Sequence, residues 1–236
     1  MMDGAVHAAR LLRPAGWEDI DGLIYGFGDR SATAPPGTWT IAHQVHGTRV
    51  IEVDAPASGA DPRVPVEADA LVLRRPGVVG GVRTADCVPL LLVAPGHLWA
   101  AAVHAGWRGT LAGIATAAVE RAQSDGIAPR QLRAALGPAI GPCCYEVSAE
   151  IGERFAEARL PVLWKSGEGA PPHLDLRAIN AVLLERAGVA APAIQQCGPC
   201  TRCARDRYYS FRAEPGQSGR QVSWVGWEAR TQLPDR

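Results

Sequence analysis

Val88-Pro89-Leu90-Leu91-Leu92-Val93-Ala94-Pro95-Gly96-His97-Leu98-Trp99-Ala100-Ala101-Ala102-Val103 is the longest apolar stretch of the chain. A membrane span needs about 20 uninterrupted apolar residues, and Pro89, Pro95, Gly96 and His97 break this one. Pro-Gly is turn chemistry, so the stretch reads as two buried strands joined at Pro95-Gly96. On its N-terminal side, Ala70 onward continues as short buried strands punctuated by Pro76-Gly77 and Gly80-Gly81. Further back, Trp39, Ile41, His43 and Val45 alternate, and Trp39 to Val53 reads as a hairpin around Gly47.

On the C-terminal side the period changes. Leu111, Ile114, Ala115, Ala118, Val119 and Ala122 fall at helical spacing, with Thr110 placed to cap and Gly126 to stop the helix. Another apolar segment, Leu132 to Ile140, leads into Gly141-Pro142-Cys143-Cys144-Tyr145. Ser148 then caps a helix bearing Ile151 and Phe155, and Asp175 one bearing Ile179, Val182 and Leu183. The first half thus reads as sheet-rich, and helices follow it. The Pro/Gly-rich pieces 55–65 and 166–172 read as surface loops, so residues 1–236 are expected to form a single domain.

Two of these strands end on soft metal ligands. His46 follows the alternating segment and His104 follows Val103, while Cys87 stands just before Val88. Two imidazoles and one thiolate make three protein ligands, which suits zinc with a fourth position open to water or substrate, the pattern of catalytic sites. No two of them stand at a short ligand spacing, so packing is the competing explanation for each alone. After His104, a helix opening at Arg108, Gly109 and Thr110 would offer free backbone N–H groups and a positive dipole end to an anion such as phosphate.

Composition removes several classes of function. The 236 residues are 47% hydrophobic and 20% charged, with 24 basic and 24 acidic side chains, so no general attraction to nucleic acid or an anionic membrane is expected. Met1-Met2-Asp3-Gly4-Ala5-Val6-His7 lacks the basic and apolar regions of a signal peptide, which points to the cytoplasm, where the six cysteines stay reduced. Cys197, Cys200 and Cys203 suggest either a thiol-rich loop or a second, structural metal site, for which no fourth ligand stands nearby. Copper also takes His and Cys ligands, yet six His in all and Met only at positions 1 and 2 are too few for a multicopper cluster. No His-x-Glu accompanies Cys200-Thr201-Arg202-Cys203, which excludes a cytidine-deaminase-like site.

The ordered strings His43-Gln44-Val45-His46-Gly47, Ala68-Asp69-Ala70-Leu71-Val72, Thr84-Ala85-Asp86-Cys87-Val88-Pro89, Val103-His104-Ala105-Gly106-Trp107-Arg108-Gly109 and Gly137-Pro138-Ala139-Ile140-Gly141 through Tyr145-Glu146-Val147 closely resemble the laccase-domain family. The match continues through Leu174-Asp175-Leu176 with Asn180, Cys200-Thr201 and Tyr209-Ser210-Phe211-Arg212. Members of that family are also called polyphenol oxidases, peptidoglycan editing factors or zinc-dependent purine nucleoside phosphorylases. The resemblance implies a single α+β domain of coiled, partly split mixed β-sheets flanked by helices, zinc on His46, Cys87 and His104, and phosphorolysis of adenosine, inosine, guanosine and methylthioadenosine with accompanying adenosine deamination. Copper-dependent oxidation, and amide hydrolysis on a peptidoglycan precursor with Cys143 or Cys144 as nucleophile, are the alternatives it carries. Two positions depart from the family pattern: Phe211-Arg212-Ala213-Glu214 replaces a Tyr-Arg-Arg-Asp string, and His43 stands where Lys or another polar residue is usual. Tyr145, Asp86 and Asp175 are further candidates, each with a structural explanation as core tyrosine, turn carboxylate and helix cap.

Overall fold

The Pro95-Gly96 break turns the long apolar stretch back on itself. In a computed structural model, which describes residues 11–31, 39–55, 63–163 and 169–229, the described chain runs β1 (Leu23–Phe27), β2 (Ile41–His43), β3 (Val50–Val53), β4 (Arg63–Glu67), β5 (Ala70–Leu73), β6 (Val79–Thr84), β7 (Val88–Val93) and β8 (Ala100–Ala105). There follow α1 (Trp107–Leu111), α2 (Ile114–Ser124), β9 (Arg133–Leu136), α3 (Ala149–Glu157), α4 (Leu176–Arg186), β10 (Ile194–Gln196) and β11 (Gln221–Trp227). The β7–β8 turn is closed by Ala94 N–H to Trp99 O at 3.1 Å, with Gly96 at φ 79°, a left-handed conformation that costs glycine little.

β7, and β8 as far as Val103, are unbroken apolar runs because both of their faces are covered. They lie in a six-stranded mixed sheet of order β10-β9-β7-β8-β5-β3. Val88, Leu90 and Leu92 of β7 pack with Val72, Val103, Ile114, Val119 and Leu184 on the helical side. Leu91 and Val93 pack instead with Leu71, Leu73, Phe27, Val225 and Trp227 on the side of a second sheet, of order β1-β11-β6. Alternation sends neighbouring side chains into two cores at once, and each fully buried Leu or Val contributes about 1.5–3 kcal/mol. The molecule is therefore a helix layer on a mixed sheet on a smaller antiparallel sheet, the α+β arrangement of split sheets expected above.

Two local expectations fail for physical reasons. Trp39 to Val53 forms no hairpin: β2 pairs in parallel with β4, and β3 in parallel with β5. The intervening Val45–Gly47 turn is held by the Asp69 carboxylate, which accepts the N–H groups of Val45, His46 and Gly47 at 3.2, 2.9 and 2.7 Å. Nor does one helix start at Thr110. α1 ends at Leu111, and Gly113, at φ 89°, begins α2 as its N-cap. Asp125 closes α2, just ahead of Gly126 as expected. Ser148 and Asp175 cap α3 and α4 as predicted, so Asp175 is a helix cap. Much of the two Pro/Gly-rich pieces lies outside the described residues, and among those described no helix is long and apolar enough to cross a membrane.

Candidate metal centre

His46, Cys87 and His104 come from three separate segments and converge, their ligand atoms all within 4.8 Å of one another. His104 is the penultimate residue of β8, with its ring buried. His46 occupies the turn after β2 at φ 62°, and Asp86, at φ 87°, bends the chain into Cys87. A left-handed conformation costs a non-glycine residue about 1–3 kcal/mol. Acceptor bonds offset it in both places: Asp69 holds the His46 turn, and the Asp86 carboxylate accepts the Thr201 hydroxyl at 2.6 Å and Arg212 N–H at 2.7 Å.

Asp69 does more than hold that turn. Its Oδ1 accepts Nδ1–H of His104 at 2.8 Å, leaving Nε2 of His104 for the side of Cys87, the carboxylate–imidazole relay found behind metal-bound histidines. His46 Nε2 lies 3.9 Å from Cys87 Sγ, and the two imidazoles meet edge to face, 4.7 Å between centroids. Burial works against ionisation of Cys87, but His104 and His46 outweigh it and bring the thiol down to about 6. Burial likewise opposes protonation of His104, yet Asp69 and Cys87 raise it to about 9. A thiolate beside an imidazolium is the charge pattern that a divalent cation can replace by displacing one proton. Gly106 lets the three converge, since a Cβ there would stand 2.6 Å from His46 Cδ2 and 3.1 Å from Cys87 Sγ. Two nitrogens and a thiolate, oriented by a carboxylate and short of a closed set, fit a catalytic metal.

The trio faces a cavity of about 790 Å³ also lined by Arg83, Arg108, Arg212 and Arg220. The guanidiniums of Arg108, Arg212 and Arg220 lie over Trp107, Tyr145 and Phe211 at 4.4, 5.2 and 5.8 Å. Arg212 and Arg220 donate to backbone carbonyls. Burial first, and the Cys87 charge second, push the Tyr145 hydroxyl well above the usual tyrosine range, so it remains a donor.

Of the anion site expected at α1, Arg108 alone borders the cavity. Thr110 is fully buried, its N–H bonded to Gly106 O at 2.8 Å and its hydroxyl accepting from Asn180 Nδ2 at 2.9 Å. Gly109 packs on the His46 turn, where a Cβ would approach Gly47 O to 3.0 Å. Sequence reasoning gave no site role to Asp69, Arg83 or Arg220, although Asp69 stands in a string that carries the family resemblance and Gly219-Arg220 fits the family pattern. An acid directly ahead of the wholly apolar Ala70-Leu71-Val72-Leu73 was the available signal for Asp69, because a buried carboxylate requires partners. Asp86 and Tyr145 both line the cavity, whereas Cys143 and Cys144 do not border it.

The family model described as multi-copper polyphenol oxidoreductase laccase matches residues 29–228. Adenosine deaminase RL5, from an unknown prokaryotic organism, is 38% identical over 192 residues, covering 78% of this chain and 73% of that protein. A purine nucleoside phosphorylase of Deinococcus radiodurans is 38% identical over 188 residues, covering 80% and 70%. The crystal structure of YlmD from Geobacillus stearothermophilus superposes with a TM-score of 0.83 at 28% identity over 93% of this chain and 97% of that one. The family's description speaks of several coppers; among the described residues His97 and His173 bond Gln131 and the Pro142 carbonyl, His43 borders the cavity, and none of the three joins the His46, Cys87 and His104 group. By a match spanning most of its length and a fold shared almost end to end, the chain belongs to the multi-copper polyphenol oxidoreductase laccase family.

Proposed function

We propose that this chain is a zinc-dependent purine nucleoside phosphorylase, converting adenosine, inosine, guanosine and methylthioadenosine with phosphate to free base and pentose 1-phosphate, and deaminating adenosine in the same cavity. The observation that carries the proposal is the open His46, Cys87 and His104 trio inside an arginine-lined cavity. Relatives named for both activities agree with it. The proposal takes residues 1–236 as one domain working in the cytoplasm. His46, Cys87 and His104 would hold the metal, and zinc is preferred to copper because one thiolate and two imidazoles form its usual open set.

Breaking an N-glycosidic bond passes through a cationic, oxocarbenium-like sugar, so an anionic nucleophile must be held on one face while the base departs on the other. Arg108, Arg83, Arg212 and Arg220 concentrate phosphate in the cavity. Trp107, Tyr145 and Phe211, each with an arginine over one face, give the cavity aromatic surface suited to a purine ring. Tyr145 keeps its proton at neutral pH and can donate to a heteroatom of the base or sugar. A bound zinc supplies Lewis acidity and lowers the pKa of water, which deamination needs. Asp69 fixes the tautomer of His104 and the turn of His46, so both ligands are in place before substrate arrives.

Release of purine base from adenosine and inosine, with and without phosphate, tests the proposal in wild type, Cys87→Ala and Arg108→Ala. Phosphate-dependent release is expected in wild type, lost with the metal in Cys87→Ala, and shifted to a higher KM for phosphate in Arg108→Ala. Phosphate-independent turnover of an amide, with no base released by the zinc-loaded enzyme, would overturn it in favour of cell-wall editing. In that case Cys143 or Cys144 would have to act from outside the cavity.

A further inference from the structure

Four cysteines, none of them lining the cavity, meet in a second cluster. Cys143 and Cys144 sit in the turn after Gly141, Cys200 and Cys203 in the turn that follows β10, and the four Sγ atoms all lie within 4.8 Å of one another. Cys203 Sγ is 3.6 Å from Cys143 Sγ and 3.5 Å from Cys144 Sγ, far beyond the roughly 2.05 Å of a disulfide. It is close to the edge of a sulfur tetrahedron around zinc, about 3.8 Å for a Zn–S bond near 2.3 Å.

We propose that Cys143, Cys144, Cys200 and Cys203 form a closed tetrathiolate site for one thiophilic divalent cation, zinc by preference, separate from the His46, Cys87 and His104 centre. The backbone is built for it. Gly141 N–H donates to Cys200 Sγ at 3.2 Å, the N–H···S bond that stabilises a thiolate. A Cβ on Gly141 would stand 3.2 Å from Cys200 Cβ and 3.4 Å from Cys143 Sγ, so only glycine lets the two turns approach without a shift. Thr201 N–H bonds Ala139 O at 3.1 Å, registering the turns before any metal arrives. Four ligands leave no open position, which marks a structural site. It would clip the segment carrying Ile140 and Tyr145 to the segment whose Thr201 holds Asp86.

Cys197, which sequence spacing alone would include, stays outside the cluster. The two halves are far apart in the chain, which is why spacing pointed to no fourth ligand.

The test counts metal in full-length protein purified with reductant and without chelator. Wild type and Cys197→Ser should carry two zinc ions per chain, and Cys87→Ala and the double variant Cys200→Ser, Cys203→Ser should each carry one. Cys87→Ala is then stripped and refilled with Co2+, for which an intense thiolate-to-cobalt charge-transfer band and tetrahedral d–d bands are expected. One zinc in wild type, an unchanged count in the double variant, or no charge-transfer band in Cys87→Ala would each overturn the proposal. The cobalt spectrum decides even if the double variant fails to fold, and loss of phosphorolysis alone would bear only on the other centre.

Discussion

Asp69 is the residue on which the proposed metal centre depends most, because one carboxylate holds two of its candidate ligands. Asp69→Asn keeps the shape but can no longer accept from every present donor, and it weakens the anion behind His104. A 10- to 100-fold loss of zinc affinity is expected, measured by competition with a chromogenic chelator, together with a fall in stability of about 1–3 kcal/mol. Unchanged affinity would remove Asp69 from the relay. The Cys87 thiol offers a second check in metal-depleted protein. Because it is depressed to about 6 from an ordinary 9.0, the reactive thiolate predominates above about 6 and is lost as pH falls through that value. Alkylation of Cys87 by iodoacetamide, followed by peptide mapping, should level off above neutral pH. A rate still climbing toward pH 9 would contradict the thiolate–imidazolium pair. The trio itself was legible in the sequence, because soft ligands beside apolar strands are chemically distinctive. Asp69 was not, because its role exists only when Ala68-Asp69-Ala70 lies beside the His46 turn.

Elements whose ends are set by neighbouring residues were legible, and those set by distant ones were not. Ser148 and Asp175 cap their helices with bonds spanning two or three residues, so sequence alone placed α3 and α4. β2 and β3 look like a hairpin until Asp69 captures the turn between them and each takes a parallel partner. The junction from β8 to α1 is the most demanding element, since it must bring Gly106 against both His46 and Cys87. Gly106→Ala inserts a methyl group where 2.6 Å is available. The expected result is loss of metal by elemental analysis and at least a 10-fold fall in phosphorolysis, with the far-UV circular dichroism of the folded protein retained. Full metal content in that variant would show the junction to be looser than its geometry.

At the scale of the molecule, stability and chemistry are separable, because the middle sheet is buried on both faces while the centre lies at its end. Leu91 is fully buried between the two sheets, and Leu91→Ala should cost about 2–5 kcal/mol in urea unfolding while leaving one filled catalytic centre per folded chain. Metal loss in folded Leu91→Ala would instead tie the core directly to the site. Layer order was beyond sequence reasoning, since continuous apolar strands announce two covered faces without saying what covers them. The pairing of β1 with β11, Leu23 opposite Trp227, has a consequence for biosynthesis. At ordinary ribosomal speeds β1 emerges on the order of ten seconds or more before its partner. Through that interval the nascent chain exposes an unmatched apolar edge, so chaperone dependence should be greatest just before residue 227 leaves the exit tunnel.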